Sequence, residues 1–228
     1  MPLLVNKPLT AFSSLGIWVI EESAEDLIKL LTDYSDPCRS PTWGSDRLPI
    51  SALSHPLRQR QRLCTLLTLK SLCGKVPELY NDASGKPYLA NYSAYISVSH
   101  SGKFVAVIVN KKTGTGIDLQ TYSPKIDRIK EKFLHADELR ALATVGNPPV
   151  VGHGQQSFHH IGNNFFNHSI NNSKFLIKLH IYWCAKEALY KLHGKGGLIF
   201  NRDLLIHPFD SPVDGLKNNG RIQGTICS

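Results

Sequence analysis

The sequence predicts an α+β protein, on three observations. Apolar residues recur at helical spacing from Leu57 to Cys73 and again from Lys178 to His193. Between them, Tyr95 to Val109 holds two extended apolar runs around a Ser-His-Ser-Gly turn. A third helical stretch, Ile126 to Leu142, follows those strands.

Taken in order, Leu15 to Ile20 reads as a short strand. Ser23, followed by Ala24, Glu25 and Asp26, then opens a helix with acids in its first turn. Pro37 to Pro49 is rich in Pro, Ser and Gly and reads as loop. Leu63, Leu66, Leu67 and Leu69 give the next helix its buried side, Arg58 and Arg62 share a face four residues apart, and Gly74 is its stop. Asp82 to Pro87 is a turn. Tyr95 to Ser99 is a strand that Ser99-His100-Ser101-Gly102 is expected to break, and Phe104 to Val109 is a buried strand. Lys111 to Gly116 turns, and Ile117 to Leu119 resumes an extended course. Gly146 to Ser173, rich in Gly, Asn, His and Phe, reads as a long surface insertion. The helix from Lys178 ends at the glycine-rich turn Gly194 to Gly197. Leu198 to Ile206 offers a short strand, and the tail from Pro208 is weakly patterned.

Bulk properties narrow the function. The 228 residues suffice for one large domain or two small lobes, with 42% hydrophobic and 19% charged residues. A net charge of +8 favours an anionic partner: nucleic acid, membrane, phosphorylated cofactor or acidic protein. The five cysteines include no C-x-x-C pair, which argues against a zinc ribbon or disulfide scaffold and for a reducing, cytoplasmic setting. No signal peptide is expected, and no apolar run reaches the roughly 18–20 residues of a spanning helix.

Three clusters carry candidate chemistry. The Ser97 to Gly102 stretch gathers hydroxyls, His100 and a glycine that together suit a phosphate; a locally satisfied polar turn is the plainer alternative. Alternation places Asp118 and Gln120 on one face of an extended segment, where a carboxylate and an amide oxygen suit a hard cation such as Mg²⁺. The plainer alternative is a solvent-facing polar pair. On the last helix Glu187 and Lys191 share a face beside Lys186, as a metal–pyrophosphate site needs, or as an ordinary surface ion pair would.

The series Gly85-Lys86-Pro87-Tyr88, Ser99-His100-Ser101-Gly102, Gly116-Ile117-Asp118 and Trp183-Cys184-Ala185-Lys186-Glu187 with Lys191 resembles the signature of the 4′-phosphopantetheinyl transferase superfamily, in its two-lobed surfactin-synthetase-activator branch. The resemblance runs from about Leu57 to Ile206. It implies a pseudo-dimer of two similar α/β lobes, residues 1–117 and 118–228, with the active site in the cleft between them. It implies transfer of the phosphopantetheine arm of coenzyme A to a serine of an apo acyl- or peptidyl-carrier protein, with release of 3′,5′-ADP. Carried over by position, Asp118, Gln120 and Glu187 become Mg²⁺ ligands. Lys186 and Lys191 take the pyrophosphate; Lys86, Ser99 and His100, with Arg58 and Arg62, take the remaining phosphate contacts, and Lys195 assists. Glu187 and Lys191 are the expected catalytic pair, and the protein is expected to act as a monomer.

The chain departs from the family in three places. Gln120 stands where many relatives have Glu, which predicts weaker metal binding with activity retained. The 146–173 stretch lengthens the segment that helps dock the carrier protein, and the spacing of His153, His159, His160 and His168 fits no familiar ligand set. The tail is shorter than in relatives that finish the second lobe with further strands. A coenzyme A or carrier-protein binding module without transfer is the alternative. A nucleic-acid-binding role is suggested only by the charge and the Arg58–Arg62 helix, with no recognised motif.

Overall fold

The computed structural model describes residues 3–32, 42–43, 48–49, 55–146, 161–209 and 220–227, without the side chains of 42–43, 48–49, 143–146 and 161–172. It is a mixed α/β protein with antiparallel sheets, and the chain divides into two compact units. The first comprises residues 1–121 and 187–196, the second residues 122–186 and 197–228.

The first unit is built on a four-stranded antiparallel sheet of order β1-β2-β8-β7, from β1 (Leu3–Pro8), β2 (Ser13–Val19), β7 (Tyr95–Ser101) and β8 (Phe104–Asn110). One face carries Trp18, Ile96, Val105, Val107 and Val109 into the core. Two helices cover that face: α1 (Ala24–Thr32), begun by Ser23 accepting the Asp26 N–H at 3.1 Å, and α2 (Pro56–Cys73). His55 caps α2, Pro56 sits in its first turn, and Gly74 closes it at φ 78°, a conformation that favours glycine. Leu63, Leu66 and Leu69 of α2 are buried, and each such side chain contributes about 1.5–3 kcal/mol. Among the described residues there are also two small hairpins: β3 (Thr42–Trp43) with β4 (Leu48–Pro49), and β5 (Leu79–Asn81) with β6 (Pro87–Leu89).

The second unit begins with a 3₁₀ turn, Pro124–Ile129, and continues through α3 (Lys130–Phe133), α4 (Ala136–Gly146) and α5 (Ile161–His193), whose last turns belong to the first unit. It ends with α6 (Phe200–Asp203), β9 (Leu204–Ile206) and β10 (Gly224–Ile226), the two strands pairing antiparallel. Phe133, Leu142, Leu179, Tyr182 and Leu204 are buried in it, and the Trp183 ring meets Phe133 edge-on at 5.1 Å. Among the described residues no helix is long and apolar enough to cross a membrane.

Several expectations are corrected. Ser99-His100-Ser101 does not interrupt the strand: β7 runs through Ser101, pairs with Phe104, and turns at Gly102. Ile117 to Leu119 joins no sheet, because its amides are taken by side chains. The helix expected from Ile126 to Leu142 breaks at Leu134, where His135 starts a new one. The His135 ring accepts the Asp137 N–H at 3.2 Å, and Glu138 returns to the His135 N–H at 2.7 Å, a reciprocal cap. The stretch read as an insertion is helical from Ile161 onward, continuous with α5: once Leu176 to Tyr182 nucleates the helix, each preceding residue adds a hydrogen bond without a new nucleus. The tail supplies a strand. Most of Pro37 to Pro49 lies outside the described residues, as do His153, His159, His160 and the side chain of His168.

Candidate active site

Site residues gather on the face of the sheet opposite α2. Alternation along β7 puts Ser97, Ser99 and Ser101 there, all buried. Residues 117–121 run along these hydroxyls: Ile117, Leu119 and Thr121 donate their N–H groups to Ser97, Ser99 and Ser101 at 3.1, 3.1 and 3.0 Å. Gly116 lets the segment reach α5. A Cβ there would lie 2.0 Å from the Ala188 carbonyl oxygen, so no side chain fits without separating the two chains.

That approach sets Asp118 against the last turns of α5. Lys191 Nζ donates to Asp118 Oδ1 at 2.7 Å and to the Ile117 carbonyl at 3.1 Å. The Ser99 hydroxyl also donates to Oδ1, at 2.8 Å. Asp118 Oδ2 is buried with no hydrogen-bond partner. The Glu187 carboxyl is pushed above the ordinary glutamate range, first by burial and then by the negative charge of Asp118, against the pull of Lys191. Two carboxylates that repel each other, one with an orphaned buried oxygen, describe a place for a cation. Among the described residues no three His, Cys, Asp or Glu side chains converge as a metal cluster. A pair of carboxylates is the donor set Mg²⁺ accepts, since it keeps several waters and takes its remaining oxygens from phosphates.

A second group is cationic. His100 lies on the α2 side of β7 and is exposed. Desolvation of its ring holds its pKa below the ordinary histidine value, and the positive charges of Lys191, Arg58 and Arg62 push the same way. The Arg62 pKa is likewise lowered, by burial first and then by Arg58. The Lys191, Arg58 and Arg62 charges around the His100 imidazole, with Arg62 itself opposed by Arg58, are a site an anion would relieve. Beside them a cavity of about 250 Å³ is lined by Ser84, Lys86, Ser97, Tyr190, Lys191 and Gly194, among others. Lys86 Nζ donates to the Leu192 carbonyl at 3.2 Å, and Ser84 to the Gly194 carbonyl at 3.0 Å, which ties the Asp82–Pro87 turn to the end of α5.

The structure thus brings together Asp118, Glu187 and Lys191, and groups His100 with Arg58 and Arg62. Lys86 lines the cavity, and Gln120 and Lys195 are exposed. Lys186 is engaged elsewhere. It is fully buried, and its Nζ reaches Glu138 Oε2 at 2.7 Å and the carbonyls of Phe200 and Leu204 at 3.0 and 2.6 Å, which uses the three protons of an ammonium. Burial pulls its pKa below the ordinary lysine value, with Glu138 opposing. Sequence reasoning missed Glu138, whose signal was an acid three residues past a helix-starting His135. It also missed the hydroxyl rungs, whose signal was Ser at three alternate positions of one strand.

Residues 114–224, just under half of the chain, match the family model of the 4′-phosphopantetheinyl transferase superfamily. No curated protein matches the chain.

Proposed function

From the match of residues 114–224 to the family model of the 4′-phosphopantetheinyl transferase superfamily, we propose that this protein moves the phosphopantetheine arm of coenzyme A onto a serine of an apo acyl- or peptidyl-carrier protein and releases 3′,5′-ADP. The observation that carries the proposal is the carboxylate pair: Asp118, with its orphaned Oδ2, repelling Glu187 within reach of Lys191. Asp118 and Glu187 would hold Mg²⁺, with Gln120 adding a neutral oxygen or a hydrogen bond to a bound water. The ion, when bound, neutralises charge on the phosphate oxygens. Lys191 uses two donors on Asp118 Oδ1 and the Ile117 carbonyl, and its remaining N–H is directed to the pyrophosphate. Lys86 contributes charge at the rim of the cavity, and His100, Arg58 and Arg62 bind the remaining phosphate.

Reaction joins the carrier serine oxygen to the β-phosphorus of coenzyme A and breaks that atom's bond to the bridging oxygen, which leaves with 3′,5′-ADP. Glu187 takes the serine proton. That is the part of a general base. Lys186 has no part in phosphate binding here. The two-lobed pseudo-dimer, with lobes at 1–117 and 118–228, and monomeric action in the cytoplasm belong to the same proposal, supported by the family resemblance.

The test is to incubate the protein with coenzyme A, Mg²⁺ and an apo-carrier protein and weigh the carrier. Gain of one phosphopantetheine arm, lost with EDTA and in Glu187→Ala, is the expected result. No gain over fatty-acid, polyketide and nonribosomal-peptide carriers, with coenzyme A binding intact, would replace the transferase with a binding module.

A further inference from the structure

We propose that Ser99 is a positioning residue that aims the Asp118 carboxylate at the metal, and not a contact for coenzyme A. The inference rests on the reading of Asp118 as a Mg²⁺ ligand. Its ground is the ladder that joins β7 to residues 117–121. The three rungs look alike from the backbone: Ser97, Ser99 and Ser101 each accept one amide, two residues apart on both chains. Side-chain hydroxyls here replace the carbonyls that a neighbouring strand would supply. They satisfy donors that would otherwise be orphaned.

A hydroxyl that accepts an amide still has one proton to place. Ser101 Oγ lies 3.0 Å from Thr121 Oγ1, so that rung stays within the ladder. Ser99 differs, because its proton goes to Asp118 Oδ1 at 2.8 Å. Lys191 holds the same oxygen at 2.7 Å. Two donors on Oδ1 fix the plane of the carboxylate and leave Oδ2 buried without a partner. The unsatisfied oxygen is therefore selected by the one rung that bonds a carboxylate. Ser99 itself is only 5% exposed and its proton is committed, so its hydroxyl is not presented to a phosphate.

The test compares three variants by Mn²⁺ binding to the coenzyme A-free protein, read by electron paramagnetic resonance, and by coenzyme A affinity in EDTA. Ser99→Ala is expected to weaken Mn²⁺ binding about ten- to a hundredfold, the usual effect of removing a hydrogen bond behind a metal ligand, with coenzyme A affinity unchanged. Ser101→Ala removes a rung without touching Asp118 and controls for loosening of the segment; it should weaken Mn²⁺ binding far less. The inference is overturned if Ser99→Ala keeps its Mn²⁺ affinity and loses coenzyme A affinity, or if both serine variants lose metal equally. Asp118→Asn separates the two levels. If it binds Mn²⁺ as well as the parent, the metal reading fails and takes Ser99 with it. If it loses Mn²⁺ while Ser99→Ala does not, only the role of Ser99 fails.

Discussion

Glu187 shows how a single charge couples stability to function. Burial and Asp118 raise its pKa, so the folded protein holds that proton to a higher pH than the unfolded chain. The stabilisation is complete below the ordinary value of 4.5 and is lost as pH rises through the folded value. At neutral pH the ionised pair therefore opposes folding. Glu187→Gln is expected to raise the melting temperature of the metal-free protein at pH 7 and to leave it unchanged near pH 4. Mg²⁺ should raise the melting temperature of the parent and not that of the variant. Scanning calorimetry at both pH values, with and without Mg²⁺, checks both statements. His100 has the opposite sign. Its lowered pKa makes its contribution to folding present above the ordinary value of 6.5 and lost as pH falls through the folded value. Coenzyme A phosphates at Arg58, Arg62 and Lys191 should offset the cations that depress it, so the His100 pKa followed by NMR should rise when coenzyme A is added. A His100 titration unmoved by saturating coenzyme A would remove that residue from the phosphate site.

At the scale of elements, residues 114–121 approach α5 closely at Gly116. Gly116→Ala would place a methyl 2.0 Å from a helix carbonyl. The segment must then lift away, at a cost of about 1–3 kcal/mol, which urea denaturation would measure. Because Asp118 rides on that segment, Mn²⁺ affinity should fall in the same variant. This contact also marks what the sequence made legible. Motif spacing names Asp118, Glu187 and Lys191, which the structure sets side by side, and α2 is legible from its leucine periodicity and Gly74. The strand break expected at His100 does not occur, since the polar residues of β7 stay in the sheet. In β7 the serines face hydroxyl-bonded chain instead of water, and a hydroxyl ladder has no hydrophobic period to betray it. The partners of Lys186 are hidden in the sequence for a related reason. Helical spacing puts it beside Glu187, but its environment is decided by Glu138, forty-eight residues away in sequence (186 − 138).

For the whole molecule, that buried pair is a principal polar anchor of the second unit. Glu138 accepts from Lys186, from the His135 N–H and from the Ile206 N–H at 2.7 Å each, joining α4, α5 and β9. Lys186→Met leaves Glu138 charged and buried without its counter-ion and should cost about 3–5 kcal/mol. Adding Glu138→Leu to that variant should recover much of the loss, since paired apolar replacement of a buried ion pair is often near neutral. Chemical denaturation of the three variants gives the cycle. If Lys186→Met leaves stability intact and abolishes transfer, the lysine belongs with the phosphates after all.

The division of the chain has a consequence for its biosynthesis. The first unit is discontinuous: it needs residues 187–196, which follow the entire 122–186 stretch. On a translating ribosome, Asp118 leaves the exit tunnel long before Lys191 is made. The four-stranded sheet forms from early sequence, but the pocket cannot close until the end of α5 arrives. A nascent chain long enough to have cleared residue 121 from the tunnel, but not yet extended to residue 187, would thus hold all four strands of the sheet and no metal site, and maturation of the site would wait on the elongation of the helix that completes it.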